Sequence, residues 1–522
     1  MINERISYIN LELSPNMRKR YSKVYGIHKY WARKPWYPIS KCIQKYSNEG
    51  DTVLDMFVGS GVTALEAILL NRKFIGFDLN PISIFICKNT ISRNINIEKF
   101  RIELEKIRIK LDSIYKELYS TDETCQLCGN KLIIQHINIG PKYKGKETGY
   151  FFCEQCGKSK SKKIRKLNSY DYIKLNKKYN IKKWIPENKF PKKFYKDRFS
   201  YKGIFKVSDM YTSRNLYFLS ELFDFIKNSK FENKNLFLIA FSNTVLHVSK
   251  LKSENVRPLS VNNYWIPDDY FEENPWLRFL DRAKLIIKAK EILLERCNNS
   301  KLGDAEFYNK SCFNTELRDE SVDYIITDPP YGDAIQYSEL SFIWNSWLGY
   351  KYNVEEEVII NPTQGKKVED FFVLLEKSIS EASRVLKQDK NYTLCFHNKE
   401  FSIWKGVLDI FKKYDFVLKT IDIVDTKGNS YNSNWAKFSP KTDFYLTFRK
   451  SKFSYTHNKK FTLESLLLKI LENNTTRQTT IIYDILATNL IQELFFNKYQ
   501  IDISKLTIKK LSKLIGEIEN GN

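Results

Sequence analysis

The run Val322-Asp323-Tyr324-Ile325-Ile326-Thr327-Asp328-Pro329-Pro330-Tyr331-Gly332 passes from apolar residues fit for a buried parallel strand into an acid, two prolines and an aromatic ring. Open α/β sheets collect their ligands at the carboxyl ends of such strands. At that position Asp328 can accept from an exocyclic amine, the Pro329 carbonyl offers a second acceptor, and Tyr331 offers a ring to a planar base. Two acceptors on one –NH2 group draw charge toward its nitrogen, so the lone pair can attack an electrophilic carbon with no strong base present.

A second stretch supplies a place for the other reactant. From Gly50 the chain reads Gly-Asp-Thr-Val-Leu-Asp55-Met-Phe57-Val-Gly59-Ser60-Gly61-Val-Thr63 and continues as an apolar helix. A strand, a turn of small residues and a helix N-terminus form a cradle that a ligand can approach closely. The third glycine of the dinucleotide fingerprint and the Gly-Lys-Ser/Thr of a P-loop are both missing, which disfavours NAD and ATP. The next strand, Phe74 to Asn80, ends in Asp78, an acid placed to accept from ribose hydroxyls. The cradle therefore predicts a ribose-containing cofactor.

Two Cys-x-x-Cys pairs, Cys125/Cys128 and Cys153/Cys156, each followed by glycine, have the spacing of a four-thiolate zinc knuckle. Four protein ligands leave no open coordination position, so this zinc is expected to be structural. The other five cysteines, Cys42, Cys87, Cys297, Cys312 and Cys395, are scattered and read as core thiols.

The elements that must position these groups set the scale. The 522 residues carry 85 Lys and Arg against 61 Asp and Glu, a net charge of +24, which points to a polyanionic partner and to nucleic acid first. The charge is concentrated: residues 158–202 hold 17 cations and three acids, Asp171, Glu187 and Asp197, with nine aromatics interleaved. Cations neutralise phosphates and aromatic faces stack on bases, so this segment reads as part of a nucleic-acid surface. Tyr170, Tyr172, Trp184, Phe194 and Tyr195 are among the rings expected there. The segment His28 to Pro38, with four aromatics and four potential cations, precedes the cradle strand and remains open in role. No run of 18 apolar residues occurs and the N-terminus lacks a signal-peptide pattern, so no membrane association and a cytoplasmic location are expected.

Apolar periodicity divides the chain into four parts. Residues 1–95 form the first part of a doubly wound α/β core, with residues 1–27 lacking any usable pattern. Residues 96–303 form an insertion: a helix over Ile97–Tyr119, the zinc ribbon at about 120–160, the basic segment, and helices near 214–227, 234–247 and 276–296. Residues 304–455 return to the sheet, with strands at 305–310, 322–328, 392–397, 416–424 and 444–449, the last two antiparallel, and helices at 368–386 and 401–413. The loop 427–434 is placed to touch substrate, and residues 456–522 form a helical extension without an assigned role.

The blocks Asp55-Met-Phe57-Val-Gly59-Ser60-Gly61 and Asp328-Pro329-Pro330-Tyr331 resemble the cofactor and catalytic motifs of S-adenosylmethionine-dependent amino-methyltransferases acting on nucleic-acid bases. More narrowly, the His28–Pro35 block, the paired cysteines, the run Asp328 to Leu340 and the Phe396-His397 strand end resemble adenine-specific DNA methylases that contain a zinc ribbon. The resemblance implies a Rossmann-like class I methyltransferase sheet, mostly parallel with an antiparallel last strand and interrupted by the zinc-ribbon and helical insertion. It implies that Asp55, Phe57, Gly59, Ser60, Gly61 and Thr63 hold the methionine part of S-adenosylmethionine, Asp78 the ribose, and Asp328 to Tyr331 the target amine. The implied reaction is methyl transfer to adenine N6 in DNA within restriction-modification or a related system, with a cognate restriction endonuclease as partner. RNA guanine N2 and DNA cytosine N4 are the alternative amines, and a non-catalytic zinc-ribbon DNA-binding protein is the alternative class. Met56 stands where proline is usual in the cofactor block, and the insertion falls before the third strand, outside the standard motif orders.

Overall fold

In the computed structural model, the described residues are 6–8, 15–254, 258, 264–298, 301–351, 353–398, 400–425, 442–452, 488–491 and 495. The loop 427–434 and nearly all of the C-terminal extension lie outside them. The strands in chain order are β1 (Ile6–Tyr8), β2 (Thr52–Asp55), β3 (Lys73–Phe77), β4 (Ser120–Thr124), β5 (Lys131–Ile139), β6 (Thr148–Phe152), β7 (Lys163–Lys166), β8 (Tyr270–Glu273), β9 (Ala305–Tyr308), β10 (Val322–Thr327), β11 (Leu386–Phe396), β12 (Phe416–Asp425) and β13 (Thr442–Lys450).

Eight of these form one sheet in the order β1-β12-β13-β11-β10-β2-β3-β9. All its pairings are parallel except the two made by β13, which runs antiparallel between β11 and β12. The central strand β10 is buried along its whole length, as an apolar run covered on both faces must be. The strand order reverses between β2 and β10, which pair through Tyr324 with Val53 and Ile325 with Leu54. Here the crossover helices leave in opposite directions and open a crevice at the carboxyl ends. Asp55 ends β2 and Asp328 follows β10, so both arrive at this one point. The antiparallel β13 has the opposite consequence: its amino end, at Asp443, lies at the same edge, opposite Val424.

Several helices were legible almost to the residue, while Pro15–Ser22, Trp36–Tyr46, Pro81–Ile91 and Tyr337–Leu348 were not read as helices from the sequence. The helix Ile97–Tyr119 begins at Asn96, whose side chain accepts from the Lys99 N–H at 2.9 Å, and buries Phe100, Ile107, Leu111, Tyr115 and Leu118 along one face. The helix Phe401–Lys413 buries Trp404, Val407, Leu408 and Phe411 against the sheet. Two strands carry no readable pattern. β1, three residues long, adds parallel to β12 at the sheet edge, and β8 pairs with β5 from more than a hundred residues further along the chain.

β8 completes a second, antiparallel sheet with β4, β5, β6 and β7 inside the insertion. It is anchored by a buried ion pair: the Arg214 guanidinium bonds Glu272, while Arg214 Nη1 also donates to the Leu118 carbonyl at 3.2 Å. Charges this deeply buried persist only when paired and hydrogen-bonded, which fixes the sheet on the helices Ile97–Tyr119 and Ser213–Asn228. The insertion is not loosely appended. Its aromatic core joins Ile82 and Ile86 of the helix Pro81–Ile91, which follows β3, with Leu340, Trp344 and Trp347 of the helix Tyr337–Leu348 in one continuous cluster.

Candidate active site and metal cluster

A partly enclosed pocket opens at the reversal point. Asp55, Phe57, Gly59, Ser60, Thr63 and Asp78 line it from one side, and Asp328 and Pro330 from another. The sheet thus brings two motifs separated by some 270 residues into a single pocket. Gly61 lies behind the wall, Pro329 is buried, and Tyr331 is half-buried beside the opening.

The three acids are held by different means. Asp55 Oδ1 accepts from the Phe57 N–H at 3.1 Å and the Thr327 hydroxyl at 2.6 Å. Thr327 also accepts from the Phe57 N–H at 3.2 Å, tying the end of β10 to the end of β2. Asp78 Oδ2 accepts from the Gly59 N–H at 2.9 Å and the Ser83 hydroxyl at 2.7 Å, and Oδ1 accepts from the Asn80 N–H at 2.9 Å. A carboxylate has about four acceptor positions, so Asp78 keeps one open on Oδ1 rather than a free pair. Asp328 Oδ1 accepts from the Tyr331 hydroxyl and lies 3.9 Å from Lys34 Nζ.

Burial pushes Asp55 and Asp78 up to about 6 against these hydrogen bonds, and pushes Asp328 up to about 7 against Lys34 and Tyr331. Three carboxylates crowded into a partly apolar pocket favour a ligand that brings positive charge and hydroxyl donors. A sulfonium with an amino group and a ribose has that chemistry, so the residues present fit S-adenosylmethionine.

The His28–Pro38 block, open in role from sequence, forms the third wall. Tyr30 stacks on Tyr337 at 5.9 Å between ring centroids, and Trp31 packs on Trp344 at 5.0 Å. Arg33 Nε donates to Ser60 Oγ at 3.0 Å and its Nη2 to the His28 carbonyl at 2.7 Å. His28 is a buried joint, bonded to Ser242 Oγ at 3.1 Å, and burial pushes its imidazole down to about 3. Sequence reasoning gave Lys34, Tyr30, Thr327 and Tyr337 no individual role; for Tyr30 and Lys34 the density of aromatics and cations before the cradle strand was the available signal.

The glycine turn is tightly cut. Gly61 has φ +81°, and a Cβ there would stand 2.9 Å from Cys87 Sγ and 3.2 Å from the Cys87 Cα. Gly61→Ala is therefore expected to lower S-adenosylmethionine affinity at least about tenfold and to cost about 1–3 kcal/mol of stability. Calorimetric titration together with thermal unfolding checks both.

The four paired cysteines converge as spacing predicts. Their sulfur atoms lie within 4.8 Å of one another, with Cys125 and Cys156 at 3.8 Å and Cys128 and Cys153 at 3.4 Å. Gly129 and Gly157 take left-handed backbone, φ +74° and +78°, which lets each knuckle fold back on its first cysteine. These separations suit tetrahedral thiolate coordination. Of the five scattered cysteines, Cys42, Cys87, Cys312 and Cys395 are buried, as core thiols should be, whereas Cys297, at the end of the helix Pro275–Cys297, is only partly buried.

The basic segment departs in part from its sequence reading. Phe194, Tyr195 and Phe199 are buried in the shared aromatic core, where they cannot stack on a base, because each has an apolar partner surface within the fold. Trp184 and Tyr201 remain exposed. Some cations are spent internally: Lys183 pairs with Asp224 at 2.8 Å, Lys193 with Glu355 at 2.6 Å and Lys202 with Asp268 at 2.8 Å. The last described part of the segment packs on the helix Tyr337–Leu348, where the Tyr195 hydroxyl donates to the Glu339 carbonyl.

A doubly wound sheet with a glycine turn after its first core strand, an acid after its second and Asp-Pro-Pro-Tyr at the reversal point defines a methyltransferase-type α/β fold. The family described as DNA methylase matches residues 7–88 and 322–505, together just over half of the sequence, and the chain belongs to that family. The two matched stretches flank the insertion. Among characterised proteins, the chain is 25% identical over 246 residues to the type II methyltransferase M.MvaI of Kocuria varians, covering 35% of this chain and 51% of that one. It is 26% identical over 172 residues to M.MjaII of Methanocaldococcus jannaschii, covering 31% and 30%, and 41% identical over 63 residues to M2.DpnII of Streptococcus pneumoniae, covering 12% and 23%. The chain thus spans about half the length of the first of these relatives and less of the others. Among the described residues no helix is long and apolar enough to cross a membrane.

Proposed function

We propose that this protein transfers a methyl group from S-adenosylmethionine to the N6 amine of adenine in DNA. The observation that carries the reading is the convergence of Asp55, Asp78 and Asp328 on one cavity at the strand-order reversal. In this reading Asp55, Phe57 and the Gly59–Gly61 turn hold the methionine part with Ser60 and Thr63, and Asp78 takes a ribose hydroxyl through Oδ1. When bound, S-adenosylmethionine supplies an electrophilic methyl group. Asp328 and the Pro329 carbonyl accept from the two N–H bonds of the target amine and enrich its nitrogen; Pro330 holds the turn and Tyr331 faces the base. Because the Tyr331 hydroxyl and Lys34 both approach Oδ1 of Asp328, Oδ2 is the oxygen left for the amine.

A base inside a duplex cannot reach this cavity, so the target nucleotide is flipped out, at a cost of a few kcal/mol offset by stacking and phosphate contacts. The insertion, residues 96–303, serves target recognition, with a structural zinc on Cys125, Cys128, Cys153 and Cys156 and phosphate contacts from the exposed cations of the basic segment. Binding weakens steeply with salt. A restriction-modification or related system, with a cognate endonuclease, is the setting this chemistry suits.

Incubation with labelled S-adenosylmethionine and either DNA or RNA, followed by nucleoside analysis, tests the reading. N6-methyladenine in DNA is expected. N4-methylcytosine, a product confined to RNA, or no S-adenosylmethionine binding would overturn it.

A further inference from the structure

Lys34, inside the His28–Pro38 block, has no individual role assigned by the sequence. Its side chain is 8% exposed, and its Nζ lies 2.8 Å from Asp443 Oδ1, 3.9 Å from Asp328 Oδ1 and 4.8 Å from the centre of the Tyr331 ring. We propose that Lys34 is a positioning residue that keeps Asp328 charged and hydrogen-bond-accepting by standing between it and a second carboxylate, Asp443. The inference rests on the reading of Asp328 as the group that holds the target amine.

The topology makes the arrangement unavoidable. β13 is antiparallel to its neighbours, so its first residues lie where the parallel strands end, and Asp443 is carried to the catalytic edge. Asp443 and Asp328 lie 2.8 Å and 3.9 Å from Lys34 Nζ, and the charge on Asp443 disfavours charge on the buried Asp328 unless a cation stands between them. A protonated Asp328 would present a donor to the amine where an acceptor is needed. The groups that face Asp328 are Lys34 from the loop before the helix Trp36–Tyr46, Asp55 from β2, Tyr331 from its own loop, Tyr337 from the following helix, Cys395 from β11, and Asp443 and Tyr445 from β13. Among these described residues, Lys34 is the one cation. Burial drives Asp328 up first, Lys34 pulls it back, and Asp443 and Asp55 add to the rise. Lys34 itself is held well above its ordinary value by Asp328 and Asp443 against its own burial.

The test uses the full chain carrying carbon-13 at the aspartate γ-carboxyl, with the Asp328 resonance assigned by its loss in Asp328→Asn. Lys34→Met should raise the Asp328 titration midpoint by about one pH unit or more. Lys34→Arg should leave it close to the parent. The pair Lys34→Met with Asp443→Asn should bring it back, because a carboxylate leaves with the cation. The acid limb of kcat on DNA should move in step, with S-adenosylmethionine affinity changed by less than about threefold. An Asp328 midpoint unmoved in Lys34→Met, or unrestored in the double variant, overturns the proposal. A collapse of S-adenosylmethionine binding with the midpoint unmoved would make Lys34 a cofactor ligand instead. If Lys34→Met fails to fold, the midpoint in Asp443→Asn decides: it must fall, since Lys34 then serves Asp328 alone. A titration that behaves as expected in a protein that methylates no nucleic acid would leave the electrostatic role standing and remove the functional reading beneath it.

Discussion

Asp328→Ala will reduce methyl transfer to DNA by at least about 10³-fold while leaving S-adenosylmethionine affinity within a few-fold of the parent. Losing one group aimed at developing charge costs about 10²–10³ in kcat in other enzymes, and in the proposed reaction Asp328 is also the acceptor that orients the amine. The cofactor wall, with Asp55 held by Thr327 and Phe57 and Asp78 by Gly59, Ser83 and Asn80, does not pass through Asp328. Single-turnover transfer and calorimetric titration separate the two effects. Equal loss of both would mean the roles are misplaced. A stability signature accompanies the variant. Asp328 titrates at about 7 in the folded chain against about 4 in an unfolded one, so the folded state holds its proton longer and stability falls as pH rises between those values. Asp328→Asn should therefore unfold at higher temperature than the parent above pH 7, with the advantage vanishing by about pH 4. Function and stability oppose each other at this residue, as they do wherever a charge is kept in a dry site.

Removing the zinc proposed for the four-cysteine cluster should have the second largest effect, and a different one. The apolar cluster beneath it is small: Leu132, Ile134, Ile137, Phe151 and Leu167 with Cys125 and Cys153. Ile133 and Phe152 on the sheet's other side join the shared aromatic core, so the cross-link matters most to the face and knuckle ends beneath the cysteines. Cys153→Ser, or chelation, should melt β4 to β7, loosen β8 and the Arg214–Glu272 pair, and weaken DNA binding by about 10²-fold. The main sheet has its own core, so S-adenosylmethionine binding should persist. Metal analysis should find zinc stoichiometric in the parent and absent in the variant. DNA binding that survives complete zinc removal would argue that the ribbon lies away from the recognition surface.

Much of this molecule was legible from local pattern. The helices Ile97–Tyr119 and Phe401–Lys413 match their apolar periodicity residue for residue, because amphipathic spacing and end signals are properties of contiguous sequence. The strand ends at Asp55 and Thr327 were visible as apolar runs stopped by small or polar residues. The cysteine pairs were legible because metal spacing is itself a local rule. What escaped is what depends on distant partners. β1 and β8 are short and gain their stability from strands more than four hundred and more than one hundred positions away, leaving no periodicity to detect. The rings of the basic segment look alike in sequence, yet Phe194 and Tyr195 are buried and Trp184 and Tyr201 are not, because only packing decides which face meets solvent.

The sequence by itself therefore determined the chemical vocabulary: a glycine turn with an acid beyond it, an Asp-Pro-Pro-Tyr strand end, four thiols at ligand spacing and a concentrated positive charge. Each is a run of neighbours, and chemistry that depends on neighbours is written in order. Only the tertiary structure decided which of these groups share a pocket and what state they hold there. Sheet order joins Asp55 to Asp328, and the reversed direction of β13 delivers Asp443 to the same edge. Lys34 acquires its partners from residues about 300 and 400 positions away. The charge on Asp328 is set by burial and by those partners, so it could be known only once the chain had folded around it.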